Sequence, residues 1–373
     1  MFRPYLFPAL ILLAQVSSAH PPVTPPASDF RLETGELGGA KFALAYPSAP
    51  AAWNRQLLLI AHGYRDEKAP LVADLFPEHL AIRTLVAEGW MVAKTSYRRN
   101  GLIIADGLAD LDALRTHIAK TYGAPTRVLL EGESMGGLIV TLAAECAPSL
   151  YNGAVAIGAA LTIKEPGSAL APSHTPKIPL LFLTNQNELE GPAAYVATAA
   201  TLTTPSLRPG LFRISRDGHV NVNQRERLVA LRALSTWLDS GRNQLPAPAP
   251  GNTAHDATVI PPPVPALVIA AHAQGFTARV AEVSAIYGNV ALDAQPADFA
   301  AAGITPQTHF ELTTHGQTYR VFYGGDFNDV PRGDWVAFPN ADGFCWLSRN
   351  WQNAAATAGL KLSDPVAIRR LTP

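Results

Sequence analysis

The stretch Leu129-Leu-Glu-Gly-Glu-Ser-Met-Gly-Gly-Leu-Ile-Val140 places Ser134 where an apolar strand pattern, "RVLL", meets a helix pattern, "MGGLIVTLAAECA". Gly132 and Gly136 allow the chain to turn sharply here, which lifts the Ser134 hydroxyl clear of a sheet. The stretch therefore predicts a Gly-x-Ser-x-Gly nucleophile elbow. The alternative interpretation is a loop serine that is merely flanked by glycines.

Short apolar runs alternate with a helical pattern on both sides of this stretch. The helical pattern at 105–122 carries Leu111 and Leu114 on one face and charged residues opposite. The predicted strands are 55–63, 89–97, 127–132, 153–160, 178–185 and 210–215. Because these runs are apolar throughout, they indicate parallel strands covered on both faces, and hence an α/β fold with a mostly parallel sheet.

A serine nucleophile needs a base, because its hydroxyl is a weak nucleophile at its free pKa. Of the ten histidines, His219 follows the last predicted strand of this unit and precedes the next helix. His62 lies in another turn, His79 and His117 lie on helical patterns, and those from His255 onward belong to the linker or the C-terminal unit. We predict that His219 is the base; a loop histidine that caps local backbone is the alternative.

The base in turn needs a carboxylate to orient it. Glu188 lies just past the strand pattern "IPLLFLTN" and is the predicted acid. Glu190 and Glu165 are the competing candidates, and a solvated loop carboxylate is the alternative interpretation. Asp217 is too close to His219 along the chain to be the obvious partner.

Two backbone N–H groups are predicted to form the oxyanion hole. One belongs to Met135, the residue after the nucleophile. The other belongs to Tyr64 in "AHGYRDE", where Gly63 permits a close approach. The Tyr64 ring either lines an acyl pocket or packs on the surface.

The chain order Ser134, Glu188, His219, with "AHGY" ahead of the serine, resembles the α/β-hydrolase superfamily over roughly residues 30–240. The resemblance implies hydrolysis of an acyl compound through an acyl-enzyme, with no metal and no organic cofactor. Segment 160–179, where many relatives insert a cap, is too short for a large lid. We therefore expect a comparatively open cleft.

The C-terminal unit alternates like the strands of a small β-barrel, with Gly, Asn and Asp at the turns. Its "YGN" at 287–289, "NADG" at 340–343 and "NAAATAGLKLSDPV" resemble the C-terminal barrel of the SAM hydroxide adenosyltransferase family. In that family the barrel supplies part of the SAM site at a subunit interface, which implies a homo-oligomer formed through it. That family's N-terminal domain is absent here, and the hydrolase unit stands in its place.

The chain divides into four segments. Residues 1–19 carry a basic residue, an apolar run and small residues at the end, a pattern that predicts a secretory signal peptide. The alternative is a membrane anchor, although the apolar run is shorter than the about 20 residues that span a bilayer. The α/β-hydrolase domain is predicted at 28–240, a Pro-rich linker at 241–266 and the barrel domain at 267–373. The mature protein is then secreted or periplasmic, with no membrane segment after cleavage.

Composition excludes several classes of function. Lys plus Arg is 29 and Asp plus Glu is 30, so a net charge of −1 provides no basic field for nucleic acid or anionic lipid. Two cysteines, Cys146 and Cys345, exclude a disulfide scaffold and are predicted to be buried thiols in different domains. No Cys and His cluster has zinc spacing.

These features predict a secreted serine carboxylesterase acting on a small-molecule ester. One alternative is a serine peptidase of the prolyl-oligopeptidase type acting on short peptides, since the fold hosts both chemistries. Another is a nucleoside-like or SAM-like ligand-binding protein that works through the barrel. Because every predicted catalytic element precedes residue 240, we expect the first unit to be active without the barrel.

Overall fold

The computed structural model describes residues 30–49, 52–243, 255–257, 274–284 and 286–371. The predicted signal peptide and most of the predicted linker lie outside these residues. The first unit contains, in chain order, β1 (Phe30–Leu37), β2 (Ala40–Pro47), β3 (Gln56–Ala61), α1 (Leu80–Ala87), β4 (Met91–Thr95), α2 (Ile104–Tyr122), β5 (Arg127–Glu133), α3 (Met135–Cys146), β6 (Gly153–Ile157), β7 (Leu180–Asn185), α4 (Glu190–Leu202), β8 (Gly210–Ile214), α5 (Gln224–Ser240) and β9 (His255–Ala257).

Within the described residues these strands form one nine-stranded sheet in the order β1-β2-β4-β3-β5-β6-β7-β8-β9. β1 and β2 form an antiparallel hairpin, β2 pairs antiparallel with β4, and the pairs from β4 through β9 are parallel. This strand order is that of the α/β-hydrolase fold, so the predicted fold class is confirmed.

Helices cover both faces of the sheet. α2, α3 and α4 pack on one face, with Leu111, Leu138 and Ala199 in the core. α1 and α5 pack on the other, with Leu85 and Leu231 buried there. The central strands β3, β5, β6 and β7 are therefore buried along nearly their whole length, which explains their continuous apolar sequences.

The sheet also includes part of the predicted linker. β9 pairs parallel to β8, with His255 opposite Phe212 and Ala257 opposite Ile214. Linker composition did not predict this strand, because three residues are too few to create a visible alternation pattern.

The C-terminal unit is a closed barrel, as predicted. Its elements are β10 (Gly275–Val283), β11 (Val290–Leu292), α6 (Pro296–Ala301), β12 (Thr308–Thr314), β13 (Gln317–Tyr323), β14 (Trp335–Pro339), β15 (Cys345–Arg349), α7 (Ala354–Ala358) and β16 (Pro365–Arg370). Among the described residues the barrel order is β10-β11-β15-β14-β13-β12-β16, closed by pairing between β10 and β16. Phe299 and Phe310 are fully buried in its interior.

The prediction for the two thiols is half wrong. Cys345 is buried in the barrel, whereas Cys146 is exposed. Cys146 is the last residue of α3, so it lies where the helix leaves the core. No helix in the described part of the chain combines the length and apolar character needed to cross a membrane.

Candidate active site

Ser134 occupies the turn between β5 and α3. Its backbone has φ 54° and ψ −115°, a conformation that non-glycine residues rarely adopt. Hydrogen bonds hold it there: the Ser134 N–H donates to Ile157 O at 2.9 Å, and the Ala160 N–H donates to Ser134 O at 3.1 Å. The strained turn is thus fixed by the neighbouring strand β6 and the segment after it.

Gly136 lets the start of α3 lie against the end of β3. A Cβ at this position would be 2.0 Å from Ala61 O, so no other residue fits without moving the backbone. The close approach also brings the chain after β3 beside the serine. A Cβ at Gly63 would lie 3.2 Å from the Ser134 Cβ.

The two predicted oxyanion donors, the N–H groups of Met135 and Tyr64, lie where the start of α3 meets the chain after β3. Met135 is the first residue of α3, so its N–H has no acceptor inside the helix. The Tyr64 N–H follows Gly63, and among the described residues neither N–H has a hydrogen-bond acceptor. The helix N-terminus adds a partial positive charge at the same place.

His219 and Glu188 meet at the carboxyl edge of the sheet. Glu188 ends a 3-10 turn that directly follows β7, and His219 lies in the loop after β8. A short hydrogen bond joins His219 Nδ1 and Glu188 Oε1. The structure therefore brings these two predicted residues together, with the Nε2 side of the ring left for another partner.

Asn185, which the sequence analysis did not single out, holds the two loops in register. Its side chain is fully buried; Nδ2 donates to Arg216 O at 3.0 Å and Asn221 O at 2.9 Å, and Oδ1 accepts from the Asn221 N–H at 2.9 Å. These bonds fix the loop that carries His219 relative to the turn that carries Glu188. The sequence feature that could have indicated this role is a polar residue at the end of an apolar strand.

The other candidate acids have different contacts. Glu165 Oε2 accepts the Ala105 N–H at 2.9 Å, at the start of α2, and so stabilises that helix end. Glu190 is exposed at the first residue of α4. Asp217 accepts a hydrogen bond from Gln186 at 3.1 Å. None of the three carboxylates bonds to His219 in the described part of the chain.

The remaining pair is the predicted nucleophile, Ser134, and the predicted base, His219. Within the described residues, no hydrogen bond joins Ser134 Oγ to His219 Nε2. The side chain of His219 is 48% exposed, and that of Glu188 is 25% exposed. In hydrolases without substrate such contacts are often long and tighten when substrate binds. The roles of the three residues therefore remain a prediction.

The pKa of His219 is raised above its usual value. The largest cause is the hydrogen bond that His219 donates to Glu188; burial opposes it, and the charges of Glu188 and Glu133 raise the pKa further. His62 behaves in the opposite way, since burial and the nearby Arg65 and Lys94 lower its pKa to about 3. His62 therefore stays neutral through the neutral pH range, whereas His219 takes up its proton at a higher pH than an ordinary histidine.

Activity that depends on neutral His219 should accordingly fall as the pH drops through the raised pKa, above the usual value of about 6.5. Glu188→Gln removes the largest cause of the shift, so the midpoint should move to lower pH. The midpoint can be followed by NMR of the imidazole Cε1 proton and by the pH dependence of kcat/KM. An unchanged midpoint in Glu188→Gln would contradict this coupling.

A partly buried charge cluster lies beneath the site. Arg227 of α5 contacts Glu131 at 2.8 Å and Glu133 at 2.5 Å. Burial raises the pKa of Glu131, whereas for Glu133 the Arg227 and Lys94 charges outweigh burial and lower the pKa. Glu133 directly precedes Ser134, so this cluster anchors the end of β5 at the elbow.

A cavity of about 850 Å³ lies between the hydrolase unit and the barrel. His219 and Glu133 line it from the hydrolase side, and Glu282, Phe344 and Trp346 line it from the barrel side. Ser134 and Glu188 do not line this cavity, so it adjoins the site on the His219 side and is not the cleft above the serine. The short segment 160–179 contains no helix, and barrel residues form one wall of the cavity beside His219.

No group of three or more His, Cys, Asp and Glu side chains in the described residues is arranged to hold a metal ion. In the barrel, Asn353 Oδ1 accepts the Ala356 N–H at 2.7 Å and caps α7. Asn353, the first residue of the "NAAATAGLKLSDPV" motif, therefore stabilises the start of a helix.

Residues 285–367 match the family model described as the SAM hydroxide adenosyltransferase C-terminal domain. The match covers less than half of the chain and coincides with the barrel, so the predicted resemblance of this unit is confirmed. A comparison with curated protein sequences gave no match.

Several solved structures are similar. An uncharacterized conserved protein from Thermotoga maritima is 16% identical over 42% of this chain and 55% of its own, with a TM-score of 0.26. Pyrococcus horikoshii acylaminoacyl peptidase is 10% identical over 60% of this chain and 44% of its own, with a TM-score of 0.42. An esterase from the archaeon Pyrobaculum calidifontis is 15% identical over 57% of this chain and 85% of its own, with a TM-score of 0.41.

The chain thus covers little more than half of the first of these proteins and less than half of the second. The α/β-hydrolase fold of the first unit is assigned from its own strand order and from the turn at Ser134.

Proposed function

We propose that this protein is an exported serine hydrolase, a carboxylesterase that acts on small-molecule esters. The observation that carries the proposal is the hydrogen bond between His219 and Glu188 at the sheet edge where the strained turn presents Ser134. The turns after β5, β7 and β8 carry the proposed nucleophile Ser134, the proposed acid Glu188 and the proposed base His219, which are the three groups that acyl transfer through a serine uses.

In the proposed reaction, Ser134 Oγ attacks the ester carbonyl carbon while His219 Nε2 takes the hydroxyl proton. The carbonyl oxygen becomes an anion that the N–H groups of Met135 and Tyr64 stabilise. Collapse of this intermediate breaks the bond to the alcohol, which leaves with the proton from His219. A water molecule, deprotonated by His219, then releases the acid and restores the serine.

Glu188 accepts the Nδ1–H of His219 throughout this cycle. It fixes the tautomer that leaves Nε2 facing the serine, and it stabilises the imidazolium formed in each half-reaction. The raised pKa of His219 supports this assignment, because the same contact stabilises the protonated ring. Export to the periplasm or the exterior is proposed on the pattern of residues 1–19 alone.

The decisive experiment is labelling with a fluorophosphonate, followed by mass mapping of the modified peptide. We expect the label on Ser134, because this serine combines the elbow with a base and acid nearby. Hydrolysis of p-nitrophenyl esters beside peptide amides then separates an esterase from a peptidase. A label on another serine, with Ser134 unmodified, would sink the assignment.

A further inference from the structure

The barrel meets the hydrolase unit at the predicted oxyanion loop. Tyr287, which opens the "YGN" motif, donates its hydroxyl hydrogen bond to the main-chain oxygen of Tyr64 at 2.8 Å. Tyr64 is the residue whose N–H is the second proposed oxyanion donor. The Tyr287 side chain as a whole is 53% exposed, but desolvation of its hydroxyl raises the pKa of that group, although the nearby Arg65 charge opposes it, so the hydroxyl keeps its proton and remains a donor.

The residues after Tyr64 are held from within the hydrolase unit. The Gly101 N–H donates to Arg65 O at 3.0 Å. The buried Arg65 guanidinium donates to Val72 O and to Asp74, each at 2.5 Å. Tyr287 therefore supplies the constraint on the Tyr64 carbonyl, immediately before this anchored part.

A second family motif of the barrel contacts the other half of the site. Asp342 Oδ1, in the "NADG" turn, accepts the N–H of Gln224 at 2.8 Å. Gln224 begins α5, directly after the loop that carries His219. Asn340 Oδ1 shapes this turn by accepting the N–H groups of Asp342 at 3.0 Å and Phe344 at 2.9 Å.

We propose that the barrel completes the hydrolase site, with Tyr287 as a positioning residue: its bond fixes the carbonyl of the Tyr64–Arg65 peptide and so restrains the main chain at Tyr64, whose N–H, in the adjoining Gly63–Tyr64 peptide, is aimed at the developing oxyanion. This inference rests on the proposed function. An oxyanion donor stabilises the transition state only within about 2.7–3.1 Å of the forming anion. Without the hydrogen bond from Tyr287, the loop that carries Tyr64 holds the donor at this distance for less of the time. The first unit alone is then a poorer catalyst than the full chain, contrary to the expectation from sequence.

The test compares Tyr287→Phe with Tyr319→Phe in the full chain. Tyr319 is the matched control, because its hydroxyl bonds to Gln317 at 2.7 Å within the barrel hairpin. The measurements are kcat and KM for a p-nitrophenyl ester, and the inhibition constant of a trifluoromethyl ketone, whose serine adduct carries an oxyanion. For Tyr287→Phe we expect kcat to fall about tenfold with KM nearly unchanged, and the inhibition constant to rise by the same factor. Tyr319→Phe should change none of the three.

Tyr287→Leu, which also removes the ring, should lose at least as much kcat as Tyr287→Phe. Wild-type kcat in either folded variant overturns the proposal, as does a loss confined to KM or an equal loss in Tyr319→Phe. Thermal unfolding verifies that each variant is folded. Failure of the proposed function is distinct: the wild-type protein would then neither react with a fluorophosphonate at Ser134 nor hydrolyse esters.

Discussion

Ser134→Ala is expected to lower kcat by about 10⁴- to 10⁶-fold, since the nucleophile of the acyl-enzyme step is lost and only binding and the oxyanion donors remain. The fold should be retained. Alanine keeps the Cβ that the turn already accommodates, and it removes a hydroxyl that makes no hydrogen bond to His219 among the described residues. Burst and steady-state kinetics with a p-nitrophenyl ester measure the loss.

A matched control for this variant is Ser173→Ala. The Ser173 hydroxyl contacts Thr175 at 2.6 Å on the exposed segment after β6, away from the elbow. Wild-type kcat in that variant, with loss in Ser134→Ala and an unchanged melting temperature in both, supports the assignment. Retention of more than a few per cent of kcat by folded Ser134→Ala contradicts it.

Glu188→Gln is expected to lower kcat/KM by about 10³- to 10⁴-fold, because the neutral amide leaves His219 poorly oriented and its cation unsupported. His219→Ala should be as damaging as loss of the serine. The contact between His219 Nδ1 and Glu188 Oε1 is the physical basis for both expectations.

The chain offers two carboxylates as controls for this variant. Glu190→Gln alters an exposed side chain two residues away and should leave kcat/KM unchanged. Glu165→Gln removes the charge at the start of α2, so its effect should fall on thermal stability instead. If Glu190→Gln or Glu165→Gln proves the crippling change, the acid is misassigned; if none of the three matters, the site is a Ser-His dyad or uses another acid.

The strands and the helix next to the elbow were predictable because the hydrophobic pattern of each lies within its own short segment. The runs at β3, β5, β6 and β7 are apolar throughout, as burial on both faces requires, and α2 shows its buried Leu111 and Leu114 on one face. The hairpin β1–β2 was less visible. Half of β1 is exposed, and an edge strand of this kind has a mixed sequence.

Candidate site residues were predictable for a related reason. Parallel strands place their carboxyl ends at one edge, so a residue just past the end of a strand can be assigned to that edge without knowing the distances. Glu188 and His219 follow β7 and β8 in this way, and the structure joins their side chains. The role of Asn185 was not predicted, because it depends on hydrogen bonds to a loop more than 30 residues further along the chain.

The sequence by itself determined the α/β sheet, the strained serine turn and the separate barrel, because each depends on patterns within one short segment. The tertiary structure alone decided how the two units meet. Tyr287 and Tyr64 are 223 residues apart along the chain, and nothing in either segment specifies the hydrogen bond between them. The wall of the cavity beside His219 has the same origin, since it depends on how the surfaces of the two units pack and not on the periodicity of either.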